Sequence, residues 1–411
     1  ARLSPELWIA SCPAIEESYR NAVANSKLEN PAGWIGDYLG VSTKKDIVDD
    51  PARLQFFVRI LFQREFLLTI MADSLTTDLP AEHLMLRGVL SPERVFIKAE
   101  LHPRAKLESG RWRLLWAQDF TAEILQRITY SPIITTCVNL YTSGYTLRCP
   151  HWGVALGIGH GDEGLEMVRQ HQQVLMRLGD KKEVSFSDVS GFDMSCSTAD
   201  WMMSAGMLAE RLRTYPGCTP VEVHAALLHG MSVCHSRHVL DVGGKLVSPR
   251  QLGIMASGIV GTFLVDCVIR GTLEYHVSRE ATGTGAATIT AGDDLNSSYV
   301  PPSLPEYAAA YAELGFRVTD QGSSSREIDL TSHVYQHGPG YAAPAIYDNE
   351  QKLLSTALVV ALEPDVLAGH RIALRHTPSV RAHYEALVAR RLETNDAPVF
   401  AAVDTTADCS M

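Results

Sequence analysis

The chain has 411 residues, 46% of them hydrophobic and 20% charged, which excludes a mostly disordered protein. That length exceeds what one hydrophobic core usually organises, so two or three subdomains are expected. The formal net charge of −11 weighs against a generally basic nucleic-acid coat, but it leaves room for a local basic channel beside acids that hold metal ions.

Apolar and basic residues recur at helical spacing from about Asp50 to Ala72. Val95 to Arg104 (VFIKAELHPR) reads as a strand entering a basic loop, and Trp112 to Ile128 has helical spacing after its first turn. Asp162 and Glu163 follow a Gly-rich stretch and suit the first turn of a helix running to about Leu178. VSFSDVSGF then alternates as a strand. Helices are expected from Ala199 to Arg213, and from just after Ser248-Pro249 to about Arg270. ATITAGDDLNSSYV is two short β-rich runs about a Gly-Asp-Asp turn, which reads as a hairpin with acids at its tip. Leu304 to Leu314 fits a helix, Phe316–Thr319 and Ile328–Tyr335 fit strands, and the stretch from about Asn349 to Leu392 is mostly helical. Mixed strands and helices with a hairpin imply an α+β core built on an antiparallel sheet.

Eight cysteines spread from Cys12 to Cys409 without paired spacing, which suits a reduced compartment. His224, His229, Cys234, His235 and His238 match no standard zinc spacing, so a packed helix is the expectation there. No apolar run approaches the ~18 residues a membrane helix needs. The opening residues from Ala1 lack the basic start and apolar block of a secretory leader.

Joining nucleotides is phosphoryl transfer, whose transition state gathers negative charge on oxygens. Proteins meet it with divalent cations held by carboxylates that converge from neighbouring strands. The chain has such acids: Asp188 ends the strand VSFSD, and Asp293 and Asp294 stand at the hairpin tip. Gly292 suits a turn that needs unusual backbone angles. Asp193 follows Asp188 closely. Between these acids lies ASGIVGT, where Ser257, Gly258 and Thr262 offer backbone N–H groups and a small hydroxyl at a helix start. Upstream, Lys98, His102, Arg104, Lys106, Arg111 and Arg113 form the densest cationic patch in the chain. Such a patch could grip a triphosphate or a template backbone. Each element alone is weak: a solvated turn explains the acids, a helix cap the Ser-Gly loop, and a solvated charged surface the cationic patch.

In this order (a basic segment, SDVSGFD, SGxxxT, then GDD) the motifs resemble the right-hand polymerases of RNA viruses. GRWRLL, DVSGFDMS and LTSH are most similar to the sobemovirus, polerovirus and barnavirus group of positive-strand RNA viruses. The resemblance covers about residues 95 to 340. It implies an RNA-dependent RNA polymerase with fingers at 1–183 and 203–250, palm at 184–202 and 251–338, and a small helical thumb at 339–411. It implies two Mg²⁺ or Mn²⁺ ions held by Asp188 and Asp293, with Asp294 accessory. Asp193 would sense the ribose 2′-hydroxyl. Ser257, Gly258 and Thr262 would position sugar and template, and Lys98 and Arg113, with Arg111 supporting, would contact the triphosphate. RNA template and product, ribonucleoside triphosphates, and a protein primer or other viral replication proteins are the implied partners, in a replication complex in the host cytoplasm.

Two departures stand out. Asp266 takes the place where many relatives carry an Asn that bonds the ribose-sensing Asp, and two close carboxylates repel. No Lys occurs from Tyr299 to Gln351, where the family often places a general acid; Arg317 and Arg326 are there instead, and arginine hardly gives up a proton. IDLTSHVY resembles the primer-grip strand, and NPAGW, Asn30 to Trp34, weakly resembles the motif that guides the template. The rival readings are a reverse transcriptase, which usually has an aromatic in place of Asp193, and a non-catalytic RNA-binding protein with a degenerate palm. A dinucleotide site fails on spacing, because Asp162 holds the last glycine's place in GxGxxG.

Overall fold

Alternating apolar and small polar residues in VSFSDV build the strand β3 (Val184–Val189), which buries Val184, Ser185 and Val189 and leaves Asp188 exposed. A computed structural model describes residues 5–75, 79–97, 108, 114–149, 153–156, 161–213, 221–242, 244–338, 345–347, 350–359 and 364–394. The chain divides into two compact units, residues 1–96, 114–137 and 191–269, and residues 97–113, 138–190 and 270–411.

In the second unit β3 is one of four strands in the order β6-β7-β3-β8. Strands β6 (Thr288–Ala291) and β7 (Asp294–Ser297) form an antiparallel hairpin closed by Gly292 and Asp293, with Gly292 at φ 71°. That left-handed angle costs glycine little and other residues about 1–2 kcal/mol, which explains the glycine here. Strand β7 pairs antiparallel with β3, Ser187 opposite Leu295 and Ser185 opposite Ser297. On the other side β3 pairs antiparallel with β8 (Val318–Ser324). The expected antiparallel core sheet is present. A helix over Asp162–Leu178 buries Leu165, Val168 and Leu175 in a core that also takes Val184, Ile289, Ala291 and Ile328. Its first-turn Asp162 accepts hydrogen bonds from Arg375 Nε and Nη2 at 2.9 and 2.7 Å. Three helices, Glu350–Val359, Pro364–Ala373 and Pro378–Thr394, surround a separate small core of Leu353, Ala357, Leu374, Tyr384 and Val388.

Helices dominate the first unit. Pro5–Ala24, Pro51–Ile70 and Val221–His235 pack a core that includes Ile15, Tyr19, Phe57, Leu61, Phe120, Ile124, Leu227 and Met231. Burying each such side chain contributes roughly 1.5–3 kcal/mol. A small sheet runs in the order β2-β1-β4-β5, from β1 (Glu93–Ile97), β2 (Leu114–Ala117), β4 (Leu240–Val242) and β5 (Lys245–Val247). The histidines of the 224–238 segment serve packing. His224 Nε2 lies 2.5 Å from the Thr129 carbonyl, and His238 bridges Glu93 and the Ile254 carbonyl, each at 2.8 Å.

Several expected boundaries move. Leu114–Ala117 is strand, and the helix α1 begins only at Phe120, continuing past Pro132 to Thr142. Buried Ile133, Cys137, Leu140 and Tyr141 supply packing that outweighs one missing backbone bond. Residues 250–261 are not helical; helix α2 is Thr262–Thr282. The expected single strand over Ile328–Tyr335 is two antiparallel strands, β9 (Glu327–Leu330) and β10 (His333–Gln336). Thr331 and Ser332 turn between them at φ 54° and 58°. Neither is a glycine or an asparagine, so the usual hairpin signal is missing.

That turn stores strain, since an L-residue in the left-handed region costs about 1–2 kcal/mol. Ser332→Gly is therefore expected to stabilise the protein by about 1 kcal/mol after the extra backbone entropy of glycine is deducted. A melting temperature by calorimetry that is unchanged or lower would contradict this.

Candidate active site

The β3–β7 register decides where the acids go. Ser187 faces Leu295 across the ladder, so one step further along sets Asp188 opposite Asp294, on strands roughly 5 Å apart. Ala291 faces Asp294 within the hairpin, which leaves Asp293 in the turn itself. Asp188 and Asp293 are exposed, and Asp294 is half-buried. Three carboxylates distant in sequence thus gather at one end of the second unit's sheet.

Each one is held differently. Strand β8 has a bulge beside Asp188: Asp188 pairs with Asp320 and Val189 with Val318, which leaves Thr319 as the extra residue. Bulges re-aim side chains, and here the Thr319 hydroxyl donates to Asp188 Oδ2 at 3.1 Å. Asp294 Oδ2 accepts the backbone N–H of Thr331 at 3.1 Å, from the strained β9–β10 turn. Burial and the neighbouring charges of Asp293 and Asp188 push the Asp294 carboxyl up to about 6, against the opposing Thr331 N–H and Arg270. The Asp293 carbonyl accepts from Arg270 Nε at 3.0 Å. Among the described residues, no group of three His, Cys, Asp or Glu side chains is drawn together tightly enough to hold a metal ion. The donor chemistry nevertheless fits a hard divalent cation: oxygen ligands on adjacent strands, with burial first and then the charges of Asp293 and Asp188 raising Asp294.

The first unit holds Asp193, Ser257, Gly258, Thr262 and Asp266. Asp193 lies in a short helical turn, Phe192–Ser195, and accepts the Ser257 hydroxyl at 2.9 Å on Oδ2. The Asp193 carbonyl also accepts the Met255 N–H at 2.8 Å, so the two segments are tied at two points. Gly258 has φ 116°, and a Cβ there would lie 2.9 Å from the Trp116 carbonyl oxygen. A glycine is required by both angle and space, because Trp116 N–H bonds the neighbouring Ser257 carbonyl. Thr262 starts helix α2 and donates its hydroxyl to the Ala256 carbonyl at 2.9 Å. Asp266 is buried one turn further along. Lys98, Arg111 and Arg113 lie outside the described residues.

Sequence reasoning missed Arg270, Glu274, Tyr307 and Tyr311, all buried. A lone Arg after an apolar run reads as a helix end, and nothing local distinguishes it from one. Thr319 was also missed, since a bulge leaves no mark in residue spacing.

The architecture matches that of a Sicinivirus 3Dpol RNA-dependent RNA polymerase with a TM-score of 0.61, covering 97% of this chain and 83% of that one at 14% identity. The fold is that of the viral RNA-dependent RNA polymerases, α+β with an antiparallel palm sheet. By sequence, the chain is 27% identical over 393 residues to Protein P2-P3 of Poinsettia latent virus, covering 90% of this chain and 32% of that protein. It is 31% identical over 270 residues to the replicase polyprotein P2AB of Southern bean mosaic virus, 65% of this chain and 25% of that one. Its relatives also include the RNA-directed RNA polymerase of Mushroom bacilliform virus, 30% identical over 142 residues, 34% of this chain and 30% of that one. The chain spans about a third or less of the length of these curated relatives. No protein-family model matches it.

The raised Asp294 carboxyl has a measurable consequence. The folded protein holds this proton more tightly than the unfolded chain, so ionisation weakens the metal-free fold. The Asp294 contribution to stability is expected to fall as pH rises from about 4, the unfolded carboxyl's range, through about 6. Calorimetric unfolding of metal-free protein across that window should show Asp294→Asn losing this part of the pH slope. Identical slopes in both proteins would contradict it.

Proposed function

We propose that this chain synthesises RNA on an RNA template by metal-dependent nucleotidyl transfer, and so replicates a viral RNA genome. The observation that carries this reading is the meeting of Asp188, Asp293 and Asp294 at one end of an antiparallel sheet, in a fold shared with viral RNA polymerases. Among the described residues no helix is long and apolar enough to cross a membrane.

Asp188 and Asp293, with Asp294 as accessory, would hold Mg²⁺ or Mn²⁺, two ions to a site. When bound, these ions lower the barrier to attack of a primer 3′-hydroxyl on the α-phosphorus and neutralise the leaving pyrophosphate. The chain's own residues supply position. Thr319 orients Asp188, the Thr331 N–H orients Asp294, and the sheet register sets their separation. Asp193 would accept a hydrogen bond from the ribose 2′-hydroxyl, with its rotamer fixed by the Ser257 hydroxyl. Gly258 and Thr262 would let the sugar and template approach the backbone closely. Asp266 would lie beside the ribose-sensing group. Lys98, Arg111 and Arg113 would bind the triphosphate. Fingers would comprise 1–183 and 203–250, palm 184–202 and 251–338, and thumb 339–411. The partners would be RNA template and product, ribonucleoside triphosphates, and a protein primer or other viral replication proteins in a complex in the host cytoplasm.

Primer extension on a defined RNA template tests this. Asp188→Ala and Asp293→Ala are each expected to lower nucleotide addition by more than about 100-fold, since each removes several kcal/mol of charge stabilisation. Asp193→Ala should narrow the preference for ribonucleotides over deoxynucleotides about tenfold or more, the cost of one lost hydrogen bond to the sugar. A wild-type preference for deoxynucleotides would favour a reverse transcriptase. Activity indifferent to Asp293→Ala would point to an RNA-binding protein.

A further inference from the structure

Arg270 is fully buried on helix α2. An unpaired guanidinium in a core costs several kcal/mol, so its neighbours must compensate it. Its Nε donates to the Asp293 carbonyl at 3.0 Å. Its Nη2 donates to the Ser187 carbonyl at 3.3 Å and also to the Ser187 hydroxyl. Its Nη1 donates to the Tyr311 hydroxyl, and the guanidinium carbon lies 5.0 Å from that ring's centroid. One planar fork therefore grips Asp293 itself and the residue immediately before Asp188. Arginine's rigid five-donor geometry suits the task where lysine's single ammonium does not.

We propose that Arg270 is a positioning residue, fixing the relative placement of Asp188 and Asp293 through their backbones. The inference rests on the polymerase reading of those two acids. Glu274, one helical turn along, completes the device. Its Oε2 accepts the hydroxyls of Tyr307 and Tyr311 at 2.5 and 2.8 Å. The Tyr307 hydroxyl also lies 3.2 Å from Ser187 Oγ. The Tyr311 hydroxyl thus bridges the guanidinium and Glu274, and the Tyr307 hydroxyl links Glu274 to Ser187. Burial opposes the charge on Arg270, but Tyr311, Tyr307 and Glu274 outweigh it, so Arg270 stays cationic. Packing alone would need no such network, because apolar residues of similar volume commonly replace buried ion pairs without loss of stability.

The test uses Arg270→Lys, Arg270→Met and Tyr311→Phe, each with three readouts. These are melting temperature by calorimetry, Mn²⁺ affinity by isothermal titration calorimetry, and the kcat and KM of nucleotide addition. Displacing ligands by about 1 Å can cost about 100-fold in rate. Arg270→Lys, which keeps the charge but loses the fork, should lower kcat about 100-fold and Mn²⁺ affinity about tenfold, with KM for the nucleotide within about threefold. Tyr311→Phe should show the same pattern, more weakly. Should Arg270→Met fail to fold, those two variants carry the test. Lysine and phenylalanine variants with wild-type Mn²⁺ affinity and kcat, and only a lower melting temperature, would overturn the inference and leave Arg270 a stability residue. If Mn²⁺ binding in the wild type is itself untouched by Asp293→Ala, the polymerase reading falls, and the inference falls with it.

Discussion

A short backbone ladder governs which carboxylates meet in this protein. Ser185, Phe186 and Ser187 pair with Ser297, Asn296 and Leu295, and that register alone determines which acids become neighbours. A slip of one residue would turn every side chain of β3 to the opposite face and remove Asp188 from the hairpin's acids. Much of the second unit works to prevent such a slip. Gln172 donates to Asn296 at 2.8 Å from the helix beneath, and Asn296 in turn donates to the Asp329 carbonyl at 2.8 Å. Val184, Ile289 and Ala291 anchor the same strands in the apolar core.

Gathering carboxylates works against stability, and the fold tolerates it in graded ways. Asp188 and Asp293 stay in water, where their repulsion is screened. Asp294 is taken partly out of water, and its carboxyl rises accordingly. The backbone N–H it receives comes from Thr331, which itself occupies an unfavourable left-handed angle. Strain in one turn and repulsion in another therefore meet at a single hydrogen bond. Such features persist only where surrounding structure over-determines them, and they cluster at functional sites. The acidic net charge of the chain is compatible with this arrangement, since its acids include the very groups a divalent cation would neutralise.

The legible parts of the fold were those with a local cause. The Gly-Asp-Asp hairpin could be read because a two-residue turn between β-rich runs has few alternatives, and the helix at Asp162–Leu178 because its apolar face recurs regularly. Asp188 could be placed at a strand end from alternation alone. The illegible parts have tertiary causes. The helix over Phe120–Thr142 runs through Pro132 because buried neighbours stabilise it. The Thr331–Ser332 turn lacks the residues that announce hairpins, so two strands looked like one. Arg270 and Thr319 touch the acid-bearing segments only through the folded sheet. The motif resemblance suggested roles for Asp193, Ser257 and Gly258; the structure adds the contacts that hold these residues in place.

Convergence of Asp188 and Asp293 on shared cations is the central claim, and anomalous diffraction tests it most directly. Crystals equilibrated with Mn²⁺ would be measured on either side of the manganese absorption edge. The account predicts anomalous density in contact with carboxylate oxygens of both Asp188 and Asp293. Manganese bound elsewhere, with those two carboxylates turned away from one another, would contradict it.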